Sequence, residues 1–127
     1  LFLDGEADMV LSYTTSPAYH LIAEEDDSYA AAAFTEGHYM QIEVGGILQT
    51  ADNPALAQQF LDFMVSPAFQ TILPETNWMY PAALPASELP AGFETLTQPE
   101  TALIFPAAEA AAIRDEALAT WQNALSQ

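Results

Sequence analysis

The stretch that decides the fold is Ala7-Asp8-Met9-Val10-Leu11-Ser12-Tyr13-Thr14-Thr15-Ser16-Pro17-Ala18-Tyr19-His20. It joins a short apolar run to a hydroxyl-rich turn and then to a helix start. Met9, Val10 and Leu11 are consecutive apolar residues in a segment too short for a helix, so Ala7 to Tyr13 reads as a buried strand. Pro17 suits the first turn of a helix, and Ser16 before it reads as the N-cap. A strand running through a polar turn into a helix is the unit from which α/β folds are built. In such folds ligands collect beyond the carboxyl ends of the strands, where Tyr13 stands, with Tyr19 one turn into the helix that follows.

Outward from this stretch the pattern stays mixed. Residues 1–5 read as the last turn of a helix with Gly5 as its C-cap. Glu24 to Ser28 reads as an acidic turn, and Ala30 to Phe34 as a short strand. From His38 to Val44 the alternation of His38, Met40, Ile42 and Val44 with Tyr39, Gln41 and Glu43 predicts a strand, broken by Gly45-Gly46. Asn53-Pro54 starts a helix whose Leu56, Phe60, Phe63 and Met64 recur at helical spacing. Ser66-Pro67 repeats the device and predicts a second helix, Ala68 to Leu73, ended by Pro74. Six of the nine prolines fall between Pro74 and Pro106, which predicts an irregular segment with at most short extended pieces. Pro106 opens a last helix, Ala107 to Leu125, with Ile113, Leu118, Trp121 and Leu125 as its apolar stripe.

Composition excludes whole classes of function. Across 127 residues the formal net charge is −17, and Arg114 is the single basic side chain. Such a chain repels phosphate backbones and anionic lipid surfaces, so no nucleic-acid partner is expected. Apolar residues at 51% and aromatics at 11% supply what disordered acidic chains lack. No apolar run reaches the about 18 residues of a membrane span, so no membrane insertion is expected. There is no Lys for Schiff-base chemistry and no Cys for a disulfide, a thiolate nucleophile or a thiolate metal ligand. The apolar start at Leu1, without Met, predicts a piece of something longer.

No local motif carries catalysis. His20 and His38 lack metal-ligand spacing, and His38 on the apolar face of its strand reads as structural. Glu24-Glu25-Asp26-Asp27 lacks the alternate spacing and the Gly of a calcium loop and reads as a solvated turn. No GxSxG, phosphate-binding loop or dinucleotide fingerprint is present, and no base stands beside Ser12, Thr14, Thr15 or Ser16. No catalytic residue, metal or cofactor is therefore expected. What remains is aromatic placement: Tyr13 and Tyr19 around the first turn, and Trp78 and Tyr80 in the loop Asn77-Trp78-Met79-Tyr80-Pro81. Two readings stand side by side, gap-filling rings between elements and an aromatic cage for a flat or cationic ligand.

The opening stretch, with Glu36-Gly37-His38-Tyr39, Phe63-Met64-Val65-Ser66-Pro67-Ala68-Phe69-Gln70 and Asn77-Trp78-Met79-Tyr80-Pro81, resembles the thiamine-binding periplasmic proteins of bacterial ATP-binding-cassette (ABC) importers. The similarity runs along the chain in the same order. The Ser-Pro helix pair is common to solute-binding proteins in general; Leu-Ser-Tyr-Thr-Thr-Ser-Pro-Ala-Tyr followed by Asn-Trp-Met-Tyr-Pro is far more specific. The resemblance implies an α/β chain forming part of a bilobal, type II solute-binding fold, with residues 1–127 as its C-terminal portion, a hinge strand and C-terminal helices. It implies a periplasmic location, thiamine or a thiamine phosphate as ligand, an ABC import permease as partner, and an absent N-terminal part that completes the lobes. The residues matching the family's ligand-gripping aromatics are Tyr13, Tyr19 and Trp78, with Ser12, Thr15, Ser16 and Asn77 as neighbouring polar groups. A non-catalytic binder is expected. The alternatives are a thiaminase I-like enzyme, which would need its cysteine from the absent part, and a solute-binding protein for another small cation or for iron. The iron reading fits poorly, since Tyr13 and Tyr19 are not the adjacent pair it requires.

Overall fold

The computed structural model describes residues 2–126, and these divide into two compact units. The first takes in the chain up to Ala33 together with Ile42–Gln98; the second is Phe34–Gln41 with Pro99–Gln127.

In the first unit the decisive stretch folds as extended chain, turn and helix. Helix α1 spans Pro17–Ala23, with proline in its first turn as the sequence predicts. Ser16 precedes it but does not cap it with its side chain, because its own backbone is already helical and its hydroxyl bonds elsewhere. Residues 2–5 form a turn rather than a helix end, closed by Gly5 N–H donating to Phe2 O at 3.0 Å, and Leu1 lies outside the described residues. Ala7 to Tyr13 and Ala30 to Phe34 are not strands among the described residues. The physical reason is that a strand exists only with a partner. Leu11, 85% exposed, meets none of the neighbours its apolar run predicts.

Helix α2, Pro54–Met64, starts as predicted: the Asn53 side chain accepts from Leu56 N–H at 3.0 Å. Helices α3 (Pro67–Gln70) and α4 (Leu73–Thr76) follow. The predicted single helix ending at Pro74 is thus corrected. The chain breaks after Gln70, and Pro74 lies in the first turn of α4, where a missing N–H costs nothing. Gln70, 5% exposed, ties this corner together by donating to Met64 O at 2.7 Å and accepting from Ala83 N–H at 2.9 Å. The proline-rich segment carries only two 3-10 turns, Ala86–Glu88 and Phe93–Thr95, in this unit.

Its core is small: Ala18, Phe93 and Leu96, with Ile22, Trp78 and Leu89 packed against them. Burying a side chain the size of Phe93 is worth roughly 1.5–3 kcal/mol. Gly92 lets the chain turn into this core. Its φ is +106°, and a Cβ there would stand 3.0 Å from Leu21 Cδ2.

The second unit holds two short parallel strands, β1 (His38–Tyr39) and β2 (Ala102–Leu103), paired His38 to Ala102 and Tyr39 to Leu103. The predicted strand through Val44 is therefore cut to two residues, because β2 offers only that much ladder. Gly37, at φ +105°, allows the close approach, since a Cβ would lie 2.9 Å from Thr101 O. His38 Nε2 accepts from Phe34 N–H at 3.0 Å. Helix α5 spans Ala107–Leu125, as predicted. Its stripe of Ile113, Leu118, Trp121 and Leu125 is exposed, and Ile113 and Leu118 line a groove of about 480 Å³ with Tyr39 and Phe105.

Candidate aromatic binding site

The first unit brings the two ends of the predicted site together. Tyr19, on α1, and Trp78, just after α4, meet edge to face with ring centroids 5.4 Å apart and planes at 78°. That geometry sets the positive edge of one ring against the negative face of the other. Trp78 also packs against the Ala18–Phe93–Leu96 core, so the pair is anchored from behind. Tyr19 remains 40% exposed. Trp78 holds φ at +54°, a conformation a bulky residue adopts only when its surroundings impose it.

The hydroxyl-rich turn lies at the start of α1. Ser12 Oγ and Ser16 Oγ share a hydrogen bond of 2.6 Å, Ser16 Oγ accepts from Tyr13 N–H at 3.3 Å, and Ser16 N–H donates to Tyr13 O at 3.0 Å. The turn is thus locked, with the Tyr13 ring half-exposed and outside the aromatic pairs found among the described residues. Thr15 is only 4% exposed, and its hydroxyl donates to Met79 Sδ at 3.6 Å. It ties the turn to the loop that carries Trp78. Asn77 is exposed, and its Nδ2 donates to Glu43 Oε2 at 3.2 Å.

Sequence reasoning missed the support behind these residues. His20 Nδ1 donates to Glu24 Oε2 at 2.6 Å, an i,i+4 pair that helical spacing would have revealed. The His20 ring stacks on Tyr29 with centroids 3.9 Å apart and meets Tyr19 edge-on at 5.2 Å. Glu24 also acts on Tyr19: its hydrogen bond to the phenol, and then its charge, push the Tyr19 hydroxyl above the usual tyrosine range. Met79 and Glu43 lie far along the chain from Thr15 and Asn77, and no local spacing announces them.

The first unit thus brings the Tyr19 and Trp78 rings together and ties the hydroxyl-rich turn to the Trp78 loop through Thr15 and Met79, in a chain of strongly negative charge. Aromatic faces and negative charge both attract cations. The chain belongs to the bacterial extracellular solute-binding proteins, whose family model matches residues 1–71. It is similar to the "Thiamine-binding periplasmic protein" of Escherichia coli strain K12, 58% identical over 127 residues, which are 100% of this chain and 38% of that protein. The protein of the same description from Salmonella typhimurium is 56% identical over the same shares. Among solved structures, a "Periplasmic thiamin binding protein" superposes with a TM-score of 0.90 at 57% identity, covering 100% of this chain and 39% of that one. The chain thus spans about two fifths of the length of these relatives, and its fold is that of part of a solute-binding protein. The relatives are described as binding proteins. No helix among the described residues is long and apolar enough to cross a membrane.

Proposed function

We propose that the chain is the C-terminal portion of a periplasmic protein that binds thiamine, or a thiamine phosphate, and delivers it to an ABC-type import permease. The observation that carries this reading is the Tyr19–Trp78 edge-to-face pair at 5.4 Å, backed by the core and left open on the outside. Thiamine carries a flat pyrimidine and a thiazolium cation. Aromatic faces attract such a cation by about 0.5–2 kcal/mol per contact, more as water is excluded. Tyr13 supplies a third ring. Ser12, Ser16 and Asn77 supply polar atoms for the pyrimidine, and Thr15 acts through Met79. The −17 balance draws a cation in, weakly once salt screens it.

The role is carriage without catalysis. Ser12 and Ser16 bond to each other, an arrangement that holds a turn rather than activates a nucleophile. The rest of the protein supplies the second wall of the cleft, since enclosing a ligand takes both sides. Ligand then favours the closed form by its higher affinity for it, and the closed form docks on the permease.

The test is incubation of full-length protein with thiamine, followed by separation and assay of the vitamin. Carriage predicts stoichiometric capture and full recovery of intact thiamine. Breakdown of thiamine would overturn the non-catalytic reading, and absence of capture would overturn the ligand.

A further inference from the structure

We propose that His20 is a positioning residue for the ring of Tyr19, acting on the site without facing the ligand. Three observations meet on this one side chain. Its ring is backed by Tyr29, stacked at 3.9 Å and 26°. Its other neighbour is Tyr19, met edge-on at 5.2 Å and 72°. Its Nδ1 is fixed by Glu24 Oε2 at 2.6 Å. The side chain is only 17% exposed, so it is built into the surface rather than displayed on it.

The geometry makes a row: Tyr29, His20, Tyr19, Trp78, each ring in contact with the next. Phe2 continues it behind Tyr29 at 5.8 Å. Tyr19 is partly exposed and on its own would sample several rotamers. The row removes that freedom before any ligand arrives. A ring held in its binding orientation loses less entropy on association, which is how preorganisation raises affinity. His20 suits the place because it combines a flat ring with a donor. The ring packs between its neighbours while Nδ1 ties it to Glu24 at the end of the helix. The backbone repeats the anchoring, since His20 O accepts from Glu24 N–H at 3.1 Å and from Asp26 N–H at 2.9 Å.

The affinity arm of the test rests on the thiamine reading; the structural arm does not. In ligand-free full-length protein, the Trp78 contribution to near-ultraviolet circular dichroism is defined by subtracting the Trp78→Phe spectrum. His20→Ala is expected to diminish that contribution and to weaken thiamine binding about tenfold, with the melting temperature held. His20→Phe keeps the ring in the row and is expected to restore the signal and bring affinity to within about threefold of the parent. If His20→Ala does not fold, Tyr29→Leu removes the backing ring and is expected to act in the same direction. The proposal is overturned if His20→Ala leaves signal and affinity unchanged, or if His20→Phe loses as much as His20→Ala. If the parent protein binds no thiamine while the Trp78 signal still responds to His20, the ligand assignment fails and the positioning role stands.

Discussion

Glu24, Asp26 and Ser28 show how an acidic turn shifts the titration of its own groups. Asp26 accepts from Ser28 N–H at 2.9 Å, and hydrogen bonding to Ser28, through its side chain first and its backbone second, holds the Asp26 carboxyl below the usual carboxylate range. A lowered carboxyl contributes stability that is present above its ordinary pKa and is lost as pH falls through the lowered value. Ser28→Ala removes the larger of the two causes and is expected to raise the Asp26 pKa toward the ordinary value, read by NMR titration. The opposite sign holds at Tyr19, whose phenol is raised by Glu24. Its contribution is complete below the ordinary tyrosine pKa and is lost as pH rises through the raised one. Glu24→Gln should therefore let Tyr19 ionise at lower pH, a change visible in an ultraviolet titration. At this scale the sequence made the residue types readable: Tyr13 and Trp78 stand in a turn and a loop, and Tyr19 in the first turn of α1, where rings are not automatically core. It could not reveal that Tyr19 touches Trp78, because that contact depends on how α4 returns the chain to α1.

Among elements, proline marks were read well and strands poorly, for one reason. Pro17, Pro54, Pro67 and Pro106 each stand at a helix start, because a fixed φ and a missing N–H are local properties that no distant neighbour can overrule. Pro74 obeys the same rule; the prediction placed it after a helix when it opens α4. Strands have no such local signature. The alternation from His38 to Val44 is real, yet only His38 and Tyr39 find a ladder partner among the described residues. Two substitutions test the local account. Asn53→Ala deletes the N-cap bond to Leu56 and is expected to cost about 1 kcal/mol in chemical denaturation. Gly92→Ala places a Cβ 3.0 Å from Leu21 Cδ2 at a φ of +106° and is expected to cost about 1–3 kcal/mol in the same measurement. A neutral result at Gly92 would contradict the view that this turn closes the core on Phe93.

For the whole molecule, the apolar content and the small core do not balance. Leu11, Val44 and Leu48 are 85%, 88% and 75% exposed, and the stripe of α5 is open as well. The chain spans 38% of the length of its Escherichia coli relative, and the apolar segment Ala7 to Tyr13 has no ladder partner among the described residues. The family was legible through the resemblance that Leu11 to Tyr19 and Asn77 to Pro81 carry together. The extent of the candidate site was not, since Tyr19 and Trp78 meet from positions far apart in the chain. The measurement that bears most directly on the central claim is calorimetric titration of full-length protein with thiamine, in the parent and in Tyr19→Ala and Trp78→Ala. The account predicts a saturable one-to-one complex in the parent and at least tenfold weaker binding in each variant, about 1.4 kcal/mol. Unchanged affinity in both variants would contradict it.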